Sequence, residues 1–386
     1  MVDVDAPDWL RRVARSDLTT AVAAAVGDPH CEVTSWRIES VDYRFGSPTT
    51  GGMWRLRGEA SSRGCTRSWS IFVKLVRSYR LWPLYPTLPQ EIRNSPRIDV
   101  AWRYEADVYG WAALSAALPT GVHLPEVRLV QQLSADEVAL WLEDVRVAEA
   151  RWDLPTFESA AELLGLLGAR LTTADALPPS ASRVPGEVVR LHYDTRLSVA
   201  VLPVLRSAEL WRHPLVAEAA DGRLRVDMLE LAGRLPALLD ALDELPQVFG
   251  HGDASPQNLL VPAGDSRAFV AIDWSLGGLA AVGYDLGQLL VGLAHAGELP
   301  TSDLGGIRQA IVRAHTAGLA AGGIAVSEGE VRLGLDAGLV VRSAFAALPL
   351  ERLREPVTAE LTALFADRVR LTRYLVDLGL ALKGKP

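Results

Sequence analysis

The chain changes texture once, near residues 141–147, and that change limits what it can fold into. Before it, EVTSWRIESVDYRF, GMWRLRGEA and RSWSIFVKLV are rich in β-branched and aromatic residues. The turn-like stretches FGSPTTGG and SSRG separate them, which predicts a three-strand meander. VHLPEVRLVQQL and EVALWLEDV read as two further strands. Apolar residues at helical spacing predict one helix over 8–26 (Leu10, Val13, Leu18, Val22, Val26) and another over 99–118 (Ala101, Tyr104, Val108, Trp111, Leu114). After Val145 most of 156–247 and 301–383 reads as helix, interrupted by one strand–turn–strand, NLLV and AFVAIDW around PAGDSR. A small sheet followed by a helical half is an α+β, two-lobed plan, with an N-terminal lobe over 1–140, a connection over 141–147 and a C-terminal lobe over 148–386. Residues 77–98, with four prolines among Tyr79, Trp82 and Tyr85, read as an ordered insertion.

Composition narrows the function classes. A net charge of −8 disfavours a nucleic-acid or anionic-membrane partner. No uncharged apolar run approaches the ~20 residues that span a bilayer. The acidic start MVDVDAPDWLRR has no apolar core of a signal peptide, so a soluble cytoplasmic protein is expected. The two cysteines, Cys31 and Cys65, read as reduced thiols, not as a disulfide framework or a zinc site.

The chemistry-bearing stretch is VFGHGDASPQNLLV, residues 248–261, with His251, Asp253 and Asn258 in eight positions. Asn258 is one of only two asparagines in the chain. A hairpin over 258–272, turning near Gly264–Asp265, sets Asn258 opposite about Ala271 and brings Asp273 beside it. Asn258 and Asp273 then suit a hard cation such as Mg2+, which prefers oxygen. Asp253 is placed to accept a proton from a hydroxyl.

HGDASPQN resembles the H-G-D-x-x-x-x-N loop of the aminoglycoside phosphotransferase and choline kinase family, a cousin of the protein-kinase catalytic loop. AIDWSLGGLAAVGYDLGQLL resembles that family's second signature, an I-D-W/F followed by a glycine and a D-L pair. The resemblance implies a bilobal protein-kinase-like fold and an ATP- or GTP-dependent phosphotransferase. Asp253 would be the catalytic aspartate, Asn258 and Asp273 would hold Mg2+, and His251 would brace the loop. Asp285 reads as support, a cap for the helix LGQLLVGLA.

A kinase-like site also needs a lysine on the third strand and an acid on the helix that follows. Lysine occurs three times against 36 arginines, and Lys74 in SIFVKLV is the only one outside the C-terminal tail. A compact ammonium there suits phosphates better than a wide guanidinium. Its expected partner is Glu105, with Glu91 and Asp107 as weaker alternatives. The loop YRFGSPTTGGMW offers Ser47, Thr49, Thr50 and Gly51 as phosphate-side donors. The segment ALWLEDV resembles the hinge, where backbone groups near Glu143 and Val145 would read the nucleobase.

The acceptor is the least legible part. Residues 241–300 carry seven acids against Arg267 alone, which points to a cationic hydroxyl compound. The candidates are an aminoglycoside or another antibiotic, a sugar or an amino alcohol, with Trp152 and Asp153 on the acceptor side. The alternative readings are a kinase-like nucleotide-binding module without catalysis and a kinase of protein side chains.

Overall fold

The strand-forming third of the chain closes into one antiparallel sheet. The computed structural model describes residues 6–41, 47–95, 98, 101–149, 151–172, 180–181 and 184–382. Strands β1 (Glu32–Ser40), β2 (Thr50–Ser62) and β3 (Cys65–Arg77) form the expected meander. Arg63 and Gly64 join β2 to β3, both with positive φ, as a two-residue hairpin turn requires. The expected strand through VHLPEVRLVQQL splits at Pro125, which has no N–H to donate. Its first part, β4 (Val122–His123), leaves this sheet, and its second part, β5 (Val127–Ser134), stays. With β6 (Glu137–Glu143) the sheet order is β1-β2-β3-β6-β5.

Alternation along β3 sends two sets of side chains to two cores. Ile71, Val73 and Leu75 pack with Leu56, Ala139 and Trp141 against Leu18, Ala21 and Val22 of the N-terminal helices. Val76, Val138, Leu140 and Leu142 meet Trp102 and Ala106 on the other face. The helix expected over 8–26 is two helices, Asp8–Arg11 and Arg15–Val26. The break sets Trp9 edge-on to Trp54, ring centres 5.8 Å apart. The helix expected over 99–118 is likewise interrupted, into Tyr104–Val108 and Ala112–Ala117, with Gly110 in the gap; positions 99 and 100 lie outside the described residues. The insertion over 77–98 is ordered as short turns, Tyr79–Leu81, Tyr85–Thr87 and Gln90–Arg93, its prolines preventing anything longer; positions 96 and 97 are not described.

Beyond β6 the long helices, among them Leu154–Thr172, Leu224–Glu244, Leu286–Ala296, Leu304–Ala321 and Ala359–Ala381, share one large apolar core. Two stretches widen into π-helix, Tyr193–Val201 and Val340–Ala344. Four short strands lie among these helices. β7 (Gln247–Gly250) pairs with β10 (Gly278–Ala281), and β8 (Leu259–Leu260) pairs with β9 (Phe269–Ala271), which also takes β4 in parallel. The sequence signalled only the β8–β9 hairpin, since β7 and β10 are four residues long and lack alternation. Among the described residues no helix is long and apolar enough to cross a membrane. The result is the α+β, two-lobed, protein-kinase-like plan expected from the sequence, a small antiparallel sheet joined to a larger helical part.

Candidate active site

Lys74 sits on β3 opposite Met53 and Leu140, on the face that turns toward Trp102 and Ala106. Its side chain is buried, and its Nζ donates to Glu105 Oε1 at 2.8 Å and to Asp273 Oδ1 at 3.1 Å. Burial works against the ammonium, but Asp273 and Glu105 outweigh it and hold Lys74 above its ordinary value. Burial pushes Glu105 up to about 7, with Lys74 opposing and Asp273 adding to the rise. For Asp273 burial is again the largest influence, yet the Lys74 charge and the Lys74 and Ser275 hydrogen bonds together bring it below the usual carboxylate range. Of the alternative acids, Glu91 is exposed, and Asp107 pairs with Arg103 and accepts from Ser180 Oγ.

The β7–β10 and β8–β9 pairs set the other half of the site. Asn258 lies one position off the expected register: Leu259 faces Ala271, and the Ile272 N–H donates to the Asn258 carbonyl at 2.9 Å. Asp273 follows immediately, with φ of 57°, a left-handed conformation that a non-glycine residue holds only under constraint. The Asn258 amide nitrogen donates to the Asp253 carbonyl at 2.8 Å, so its amide oxygen is the atom suited to a cation.

His251 is buried and ties the loop to the hairpin. Its Nε2 donates to the Ile272 carbonyl at 2.9 Å, and its Nδ1 then accepts the Asp253 N–H at 3.2 Å. Its ring lies against Trp274, 4.4 Å between centres. Burial lowers its pKa, with Asp285, Asp253 and Asp273 opposing, which favours the neutral ring that this bonding needs. Asp285 differs from expectation. It stands at the start of the helix Leu286–Ala296 but makes no side-chain cap there. Its two oxygens instead accept the His251 and Gly252 N–H groups, each at 2.7 Å. Gly252 is obligatory in this loop, since its φ is 80° and a Cβ there would lie 1.9 Å from the Leu276 carbonyl oxygen.

The loop and the connection lie at the edges. Ser47 Oγ and Thr49 Oγ1 are 2.9 Å apart, and the Arg77 N–H donates to the Thr49 carbonyl at 2.8 Å. Thr50 pairs with Val76, and Gly51 falls where β2 shifts register against β3, two positions before the residue opposite Lys74. Residues 43–46 of the expected phosphate loop lie outside the described residues. Glu143 ends β6, with its N–H on the Glu126 carbonyl at 2.8 Å, and Val145 is half-buried just beyond. Asp144 between them accepts from Arg55 Nε at 3.0 Å and Ser70 Oγ at 2.6 Å, which fastens the connection to the sheet. On the other side the Ala148 N–H donates to the Val261 carbonyl at 2.8 Å, and the Ala263 N–H to the Arg146 carbonyl at 2.7 Å. Trp152 and Asp153 have structural work. Trp152 packs on Phe157 and Phe269, and Asp153 accepts from the Thr156 N–H and hydroxyl at the start of the Leu154–Thr172 helix.

Sequence reasoning missed Arg342. It lies on the π-helical stretch Val340–Ala344, its side chain 13% exposed, with Nη2 at 2.8 Å from Asp253 Oδ1. Nη1 donates to the Gly252 carbonyl, and the buried Tyr284 lies near enough for the guanidinium charge to act on it. Burial works against that charge, but Asp253 and Tyr284 hold it above its ordinary value. Nothing in the sequence distinguishes this arginine from the other 35.

The family model described as the phosphotransferase enzyme family (APH) matches residues 88–321. No curated protein matches the chain. Among solved structures the chain is similar to the amicoumacin kinase hAmiN in complex with AMP-PNP, Ca2+ and Ami, at 12% identity over 89% of this chain and 92% of that one, with a TM-score of 0.47. It is similar to the GDP complex of wild-type aminoglycoside 2'-phosphotransferase-IIIa at 15% identity, over 95% of this chain and 99% of that one, with a TM-score of 0.43. It is also similar to the macrolide 2'-phosphotransferase MphH from Brachybacterium faecium at 18% identity, over 91% and 96% of the two chains, with a TM-score of 0.42. With a family model spanning more than half its length, the chain belongs to the phosphotransferase enzyme family.

Proposed function

We propose that the protein transfers the γ-phosphoryl group of ATP or GTP to a hydroxyl of a small molecule. The observation that carries this reading is the contact of Lys74 with both Glu105 and Asp273, beside the loop that ties Asp253 to Asn258. Lys74, fixed by Glu105, would hold the phosphates, and the β1–β2 loop with Ser47, Thr49, Thr50 and Gly51 would cover them. Backbone groups near Glu143 and Val145 would meet the nucleobase.

The donors beside Asp273 fit a divalent cation. Asn258 and Asp273 offer oxygen alone, and among the described residues no three His, Cys, Asp or Glu gather as a metal cage. Such a pair suits Mg2+, which takes one or two protein oxygens and completes its shell with phosphate and water. When bound, the ion neutralises phosphate charge. Asp253 orients the acceptor hydroxyl and takes its proton. The acceptor oxygen bonds to the γ-phosphorus as the bond to the β-phosphate oxygen breaks, and the nucleoside diphosphate leaves. His251 and Asp285 hold the loop through its backbone, so Asp253 is positioned before substrate arrives.

The test is an acceptor screen. Purified protein is incubated with Mg-ATP or Mg-GTP and, singly, aminoglycosides, other hydroxylated antibiotics, sugars and amino alcohols, and mass spectrometry reads the addition of one phosphoryl group. Asp253→Ala is the control, with turnover expected to fall by about 10²–10⁴ while nucleotide binding stays. A control that phosphorylates at the wild-type rate would remove Asp253 from the role of base.

A further inference from the structure

The geometry points to an acceptor without positive charge, an uncharged or carboxylate-bearing polyhydroxyl compound, selected by Arg342. This rests on the phosphotransferase reading and deepens it at the acceptor end.

The seven acids of residues 241–300 do not gather as a surplus at the site. Asp273 is matched by Lys74, and Asp285 by two backbone N–H groups. Asp243 is paired with Arg190, and Glu244, Asp265 and Glu298 are exposed. That leaves Asp253, and Arg342 already sits on it. Besides Asp253, Tyr284 and Asp285 also act on Arg342. Tyr284 is a neutral phenol, and Asp285 accepts the His251 and Gly252 N–H groups. His192, at the end of the helix Glu187–His192 that leads into the other π-helical stretch, is pushed down to about 3 by burial and by the charges of Arg342 and Arg196, and so is neutral.

The consequence follows from which oxygen is taken. Arg342 occupies Asp253 Oδ1, and among the described residues no hydrogen bond is made to Oδ2, which is open to a hydroxyl proton. A neutral hydroxyl compound binds there without disturbing the ion pair. A compound carrying several ammonium groups meets a tethered, largely buried guanidinium and finds the Asp253 carboxylate already engaged. That arrangement acts against the wrong partner by placing like charge next to like charge. The π-turn supports a dedicated placement, since such widened turns recur where a helix must aim one side chain into a site.

The test compares acceptors matched in hydroxyl content but not in charge: a hexose, its sugar acid and its amino sugar, and a neutral trisaccharide against an aminoglycoside. Transfer is measured with the Mg2+–nucleoside triphosphate, and binding with a non-hydrolysable analogue. Wild-type kcat/KM is expected to favour the amine-free members by at least about tenfold. Arg342→Met is expected to shrink that preference by about tenfold, chiefly through a lower KM for the amine-bearing members, while Arg342→Lys keeps it. A wild-type preference for amine-bearing acceptors, or an unchanged ratio in a nucleotide-binding Arg342→Met protein, overturns the assignment. If Arg342→Met does not fold, the wild-type ratio and Arg342→Lys decide. Transfer confined to aminoglycosides would leave the phosphotransferase reading standing and remove this one. Binding of neutral polyols to the nucleotide complex without any transfer would do the reverse.

Discussion

Lys74 and Asp273 lie 199 positions apart in the chain and 3.1 Å apart in the fold, ammonium against carboxylate. This one contact joins the third strand of the sheet to the residue after the β8–β9 hairpin. It also makes Lys74 the shared cation of two acids, since Glu105 holds it from the helical side.

Replacing that cation tests its structural share. In Lys74→Met the Glu105 carboxyl stays buried and loses the charge that held its pKa down, so it rises further above about 7. Breaking a buried pair costs about 3–5 kcal/mol when the remaining group must stay charged. Glu105 escapes part of that by keeping a proton. A carboxyl whose folded pKa is raised binds more protons folded than unfolded, so its stability contribution falls as pH rises between the two values. The deficit of Lys74→Met relative to wild type should therefore be small near pH ~6 and larger near pH ~8.5, read from urea midpoints. An equal deficit at both values would show that Glu105 does not respond to Lys74.

Asp273→Ala separates the phosphate-side cation from the lysine. Lys74 keeps Glu105 at 2.8 Å, so the sheet side should stand. Nucleotide affinity with Mg2+ should fall at least about tenfold, and affinity without Mg2+ should change little. Calorimetric titration with and without the metal measures both. The same Mg2+ dependence in variant and wild type would remove Asp273 as a ligand.

Asp285→Ala addresses the loop from behind. Its carboxylate accepts two backbone N–H groups, at His251 and Gly252, each at 2.7 Å. Hydrogen bonds to a charged group contribute about 1.5–3 kcal/mol each, so a loss of about 3–6 kcal/mol is expected in denaturant unfolding. Turnover should fall with it, because Asp253 is the next residue along, while nucleotide KM moves less. A cap would behave otherwise, costing about 1 kcal/mol with kcat unchanged.

Much of the candidate site was readable because rare residues stood out. Lys74 is conspicuous in a chain that otherwise uses arginine, and Asn258 in a chain with two asparagines. Glu105 was legible from its helical stripe, even though its helix is a fragment of the one expected. Arg342 was hidden for the opposite reason, one arginine among many, placed by a π-turn that no spacing announces. Asp285 was assigned to a cap because sequence shows which residue begins a helix but not which distant N–H groups reach its oxygens. The hairpin register slipped by one because turn length, not strand pattern, sets it, and PAGDSR admits more than one turn. The seven-acid count records residues, and only the fold shows the partners that several of them take.

The backbone bonds from Arg146 and Ala148 to the hairpin at Ala263 and Val261 make the crossover between the lobes and the Asn258 hairpin a single leaf. If the cleft gapes, that leaf is the axle, and the Lys74–Asp273 contact is the clasp that must let go. On the proposed reading the clasp, not the axle, would then set how readily a fresh nucleotide enters, and an ion held by Asp273 would loosen it.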